Sequence, residues 1–161
     1  MDGRDWYSAR FTGVTLRCAG ALILDDTGRI FVQRRSPDRR LFPGCWDIVG
    51  GHVEGGETVD EALRREVAEE TGWQLAMVLA ELGEIRYQGD DGLDRVEEDF
   101  LVRVDGDLDR PRLEPGKHTE YAWISEEEVE LLDENGGPGD VLGRRILEKG
   151  FAVARGLGLV E

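Results

Sequence analysis

The chain has 161 residues, 40% of them apolar and 34% charged, with a formal net charge of -15. That length suits one domain, residues 1–161, with a sizeable core, and no apolar run is long enough to cross a bilayer as a helix. The negative charge argues against sequence-independent binding to a nucleic-acid polymer, and a free nucleotide would need bound divalent cations or a local basic patch to approach. The N-terminus lacks the basic region and apolar run of a secretory signal, so the cytoplasm is the expected location. Cys18 and Cys45 offer neither a disulfide framework nor paired metal-ligand spacing and read as inert buried thiols.

In chain order, residues 1–15 carry Trp6, Tyr7, Phe11 and Val14 without clear periodicity. They read either as an N-terminal arm packed on the domain edge or as a homodimer contact. Leu16 to Leu24 and Arg29 to Arg34 are strand-like, and the turn chemistry of Asp25-Asp26-Thr27-Gly28 between them predicts a hairpin entering the sheet. Arg34, Arg35, Arg39 and Arg40 then fall within seven residues. Such a run is either a solvated loop or a phosphate contact, since guanidinium forks match phosphate oxygens. Arg34 and Arg35 alternate across a strand end, so at most one points into a cleft. The loop leads through Trp46 into a short strand, Cys45 to Val49, that delivers Gly50-Gly51. Arg34, Arg35, Arg40 and Trp46 are the substrate-side candidates.

The stretch Gly51 to Trp73 reads as a glycine-rich loop, one helix and a stop. Thr58 and Glu61 form a capping box, Asp60 and Glu61 suit the positive end of the helix dipole, and Gly72 suits the C-terminal left-handed position. The helix is therefore about Val59 to Thr71. On a wheel of roughly 100° per residue, Val59, Ala62, Leu63 and Val67 centre their apolar stripe close to Glu66, with Glu70 about 40° and Glu69 about 60° away on either side. Asp60, Glu61, Arg64 and Thr71 lie opposite. Three carboxylates that face the protein body need either a proton or a cation, and hard oxygen ligands suit Mg²⁺ or Mn²⁺. Arg65, one turn before Glu69, is placed to orient it.

Beyond the helix, Trp73 to Tyr87 and Val96 to Val104 read as strands around a polar turn. Glu98 shares parity with Val96, Phe100 and Val102, which turns it toward the core or a cleft and turns Glu97 and Asp99 the other way. Its alternatives are a salt bridge to an arginine, a metal ligand or a general base. Thr119 to Ile124 is a short strand, Ser125 with Glu128 starts a helix, and Asp140 is the expected cap of a terminal helix whose Val141, Leu142, Ile146, Leu147 and Phe151 face the core.

The pattern Gly51, five residues, Glu57, seven residues, then Arg65-Glu66-Val67-Ala68-Glu69-Glu70-Thr71-Gly72-Trp73 resembles the signature of the Nudix hydrolases, with the usually aliphatic last position filled by Trp73. The resemblance implies an α/β fold, a mixed β-sheet sandwiched between helices (α/β/α). It also implies a metal-dependent hydrolase, using Mg²⁺ or Mn²⁺, that acts on a small-molecule diphosphate, usually a nucleotide linked to another group. By resemblance, Glu66, Glu69 and Glu70 hold metal together with backbone at Gly50 and Gly51, while Glu57 and Arg65 orient them. The general base lies among Glu69, Glu98 and Glu120, since family members often carry a glutamate shortly before a tryptophan, matched by Glu120 and Trp123. A non-catalytic sensing domain is the alternative, although no signature glutamate is missing. An isopentenyl diphosphate isomerase shares the fold but needs a cysteine where Gly50 stands. No substrate branch is matched in full. Arg86-Tyr87-Gln88 lacks the proline of ADP-ribose enzymes, and Phe31-Val32-Gln33 departs from the coenzyme A pattern. Branches that read an oxidised guanine often use an asparagine in the pocket, and the only one here, Asn135, stands in a distal loop.

Overall fold

The computed structural model describes residues 15–160; the N-terminal arm or dimer contact expected for residues 1–15 lies almost wholly outside them. Among the described residues seven strands follow in order: Leu16–Ile23 (β1), Ile30–Arg35 (β2), Trp46–Asp47 (β3), Val49–His52 (β4), Gln74–Gln88 (β5), Asp94–Asp105 (β6) and His118–Ile124 (β7). The helices are Val59–Thr71 (α1), a 3-10 helix Glu126–Asp133, and Pro138–Gly156 (α2). The strands form a mixed four-stranded sheet, β4-β1-β6-β5, and an antiparallel three-stranded sheet, β3-β2-β7.

Strand parity puts a helix on each face. Ala19, Ala21 and Ile23 pack with Ala62, Leu63 and Val67 of α1, while Leu22 and Leu24 pack with Ile146, Leu147 and Phe151 of α2. The α/β/α layering is therefore as expected, but the strands divide between two sheets. Between β1 and β2 the expected hairpin shrinks to one bridge, Leu24 with Ile30. β1 has β4 on one edge and β6 on the other, so no edge is left for β2. The segment read as one strand, Cys45 to Val49, is likewise divided. Its first half pairs with β2 and its second with β1, and the chain crosses from one sheet to the other at Ile48.

The α1 boundaries match the sequence reading. Glu61 N donates to Thr58 Oγ1 at 3.1 Å, Thr58 N donates to Glu61 Oε1 at 3.3 Å, and Gly72 closes the helix at φ 77. Thr71 does not stay in solvent as the wheel placed it. It is buried, and its hydroxyl donates to Val67 O at 2.6 Å, which removes the cost of burying it. At the other end, α2 begins at Pro138 with Gly137 as its cap. Asp140 sits inside the first turn instead and accepts from Gly136 N. That shift leaves Val141 exposed at 62%, so it drops out of the core stripe that Ile146, Leu147 and Phe151 keep. Burial pushes the Cys18 thiol up to about 12 and the Cys45 thiol to about 11, consistent with unreactive thiols.

Replacing Thr58 by Ala removes the side-chain acceptor at the start of α1. We expect a loss of about 1 kcal/mol in urea unfolding with an unchanged m-value.

Candidate active site

Two glycines bring the acids of α1 against the sheet. A Cβ on Gly51 would lie 2.5 Å from Glu66 Oε1, and one on Gly50 would lie 2.3 Å from the carbonyl oxygen of Ala19. At Gly50 the obstacle is backbone, so only glycine fits, whereas at Gly51 a side chain would push the Glu66 carboxyl aside. Glu70 is 6% exposed, and its Oε2 accepts from Gln33 Nε2 at 2.7 Å and from Gly50 N at 3.1 Å. Burial first, and the neighbouring charge of Glu66 second, hold its carboxyl well above the usual carboxylate range. Burial also raises Glu66, against the pull of Arg65. Glu69 stands at the mouth with its side chain 48% exposed.

Arg65 joins these groups. Its Nε and Nη2 donate to the two oxygens of Glu57 at 2.7 and 3.0 Å, a bidentate pair. Nη1 reaches Glu66 Oε1 at 2.9 Å and Glu69 Oε2 at 3.2 Å, and Nη2 also donates to the carbonyl oxygen of His52 at 3.0 Å. The bond to Glu57 is the main reason its guanidinium is held above its ordinary range and Glu57 below its own. Among the described residues no three acidic, histidine or cysteine side chains converge closely enough to enclose an ion as placed. Positive charge is supplied there by Arg65. The donor set nonetheless fits a hard divalent cation: carboxylate oxygens, of which Glu66 and Glu70 are held in a setting that disfavours their charge until a cation joins them.

The acids open onto a cleft of about 300 Å³. It lies where the chain leaves β3 for β4, so both sheets and both helices contribute to its walls. Of the arginines expected to face substrate, Arg35 lines it, with Nε donating to the carbonyl oxygen of Leu41 at 2.7 Å and Nη1 lying 3.4 Å from Asp47 Oδ2. Arg34 and Arg40 do not line it. Arg34 turns to Glu120 at 3.2 Å and lies over the Trp46 ring, and Arg40 is exposed. This is the alternation expected across a strand end. Trp46 lines the cleft.

Two base candidates are placed elsewhere. Glu98 ion-pairs with Arg17, and Glu120 is taken by Arg34; neither lines the cleft. Glu97 lines it instead. Parity could not choose between neighbours on β6, because that strand is central and both of its faces are covered. Arg39 and Lys117 also line the cleft beside Arg35. Arg39 was visible in the arginine run, whereas Lys117 comes from a distant loop and carried no sequence signal. Gln33 could have been read from its parity with Arg35 on β2. His52 Nε2 accepts from Arg95 Nε at 3.4 Å.

The NUDIX domain family model matches residues 14–143. The nucleoside triphosphatase NudI of Salmonella agona is 33% identical over 123 residues, which cover 70% of this chain and 84% of that protein. An uncharacterised Nudix hydrolase of Nostoc sp. is 42% identical over 67 residues, but the match spans only 41% of this chain and 40% of that relative. The crystal structure of a MutT Nudix hydrolase from Burkholderia pseudomallei matches with a TM-score of 0.62 at 30% identity, over 70% of this chain and 84% of that one. With a family model that spans most of the chain, and signature acids gathered on one cleft, the chain belongs to the Nudix hydrolase family.

Proposed function

We propose that the protein is a Mg²⁺-dependent hydrolase that cleaves a phosphoanhydride in a nucleoside di- or triphosphate, or in a nucleoside diphosphate linked to another group. One observation carries this reading. Three signature carboxyls share a single cleft with Arg35, Arg39 and Lys117, so sites for a cation and for phosphate oxygens open on the same space. The Salmonella relative is a nucleoside triphosphatase, which belongs to the same substrate class.

A bound Mg²⁺, held by Glu66, Glu69 and Glu70 beside the Gly50-Gly51 backbone, would neutralise phosphate charge and ease deprotonation of water. The remaining work falls to the chain. Gln33 and Gly50 N fix the buried Glu70 carboxyl, and the Glu57–Arg65 pair sets where Glu66 and Glu69 stand. Glu69, exposed at the mouth and inside the cleft, takes the proton from the attacking water. Arg35 is held by Leu41 and Asp47, so its guanidinium is preorganised for phosphate oxygens.

The direct test is phosphate or pyrophosphate release from a panel of nucleoside tri- and diphosphates with Mg²⁺. Turnover is expected; ligand binding with no turnover across the panel would favour a sensing domain. Glu66→Gln and Glu70→Gln should each lower kcat by roughly a hundredfold or more at any Mg²⁺ concentration. By contrast, Glu98→Gln and Glu120→Gln should stay within about threefold of wild type, as expected of surface ion pairs. Arg39→Ala should raise KM about tenfold with little change in kcat, read from steady-state kinetics.

A further inference from the structure

The cleft is not uniform. Its signature side is charged, whereas the side built from the Leu41–Trp46 loop, β5 and α2 is apolar and aromatic: Phe42, Trp46, Tyr87, Leu142 and Ile146. Phe42 adopts a left-handed backbone, φ 45, that a bulky side chain rarely takes. Its amide donates to Asp90 Oδ2 at 2.9 Å, and its ring centroid lies 6.3 Å from that of Tyr87. Strain retained in that way marks a wall that the surrounding structure holds in place.

A carboxyl on the central strand reaches this wall. Glu97, on β6, faces the cleft, and Tyr87 Oη donates to its Oε1 at 3.3 Å. Nothing in the hydrolysis proposed above uses it. A polar group set among aromatic residues is what a pocket needs to orient a planar ligand, with the rings supplying contact area and the polar atoms supplying selection.

We propose that Glu97 is a specificity-determining residue that reads the hydrogen-bonding edge of the nucleobase held against Phe42, Trp46 and Tyr87. The inference rests on the nucleotide reading above and deepens it. Burial, reinforced by the neighbouring Asp99, holds the Glu97 carboxyl well above its usual range, which favours the neutral acid. A neutral acid can turn a donor or an acceptor toward a base edge, whereas a carboxylate can only accept. A site built to pair with such an edge rejects a base of the wrong pattern because its own buried polar atoms are then left unsatisfied.

The test is steady-state kinetics of wild type, Glu97→Met and Glu97→Gln on the four ribonucleoside and four deoxyribonucleoside triphosphates. The glutamine amide keeps a donor beside an acceptor; methionine keeps length and loses both. In Glu97→Met, the kcat/KM ratio between the best and the worst base should fall by roughly tenfold, with the loss on the best nucleotide appearing in KM. Glu97→Gln should keep the wild-type order of bases. Tyr87→Phe, which deletes one hydroxyl from the same wall, gives a second variant that should narrow the ratio in the same direction. An unchanged ratio in Glu97→Met, or an equal fall for every base, would overturn the role of Glu97. Wild-type protein that turns over no nucleotide would overturn the nucleotide reading itself, a separate and earlier failure.

Discussion

The placement of Arg65 among carboxylates is the constraint on which the rest of the site depends. Its guanidinium makes a bidentate pair with Glu57 and reaches Glu66, Glu69 and the carbonyl oxygen of His52. These contacts tie the glycine loop to α1 and fix the loop's entry into the helix. In a chain of net charge -15, they also supply local positive charge where acids would otherwise repel. Glu70 is left outside this arrangement: it is buried, bound by neutral donors, and held above its usual range. A divalent ion at these oxygens would join a site whose charge is only partly balanced, and that imbalance would be the physical source of its affinity.

The split of the strands into two sheets makes the cleft. Because β1 is already paired on both edges, β2 turns away to pair with β3 and β7, and the chain crosses between the sheets at Ile48. The crossing places Trp46 and Asp47 on one side and Gly50 and Gly51 on the other. A single continuous sheet would leave no such gap. The same topology lets α2, whose role in the sequence reading was simple packing, contribute Leu142 and Ile146 to the cleft.

Much of this was legible in the sequence where the determinants are local. The capping box of Thr58 and Glu61, the terminating Gly72 and the apolar stripe define α1 within its own residues, and the signature acids lie on its inward face as the wheel places them. Non-local determinants were not legible. Turn chemistry at Asp25–Gly28 predicts a hairpin, yet whether two strands stay paired depends on which edges other strands occupy. On β6, parity separates the faces without saying which face meets the cleft, so Glu98 was singled out where Glu97 lines it. The arginine run located the basic wall but not its members: Arg35 and Arg39 line it, and Arg34 and Arg40 do not.

On this reading the α1 carboxyls form a cation site whose charge Arg65 balances only in part. Isothermal titration of Mn²⁺ into metal-stripped wild type and into the Glu66→Gln, Glu70→Gln double variant tests it most directly. Clear saturable binding to wild type is expected, with a Kd raised in the double variant by more than roughly a hundredfold, the upper end for losing merely supporting groups. Equal binding to the two proteins would contradict it.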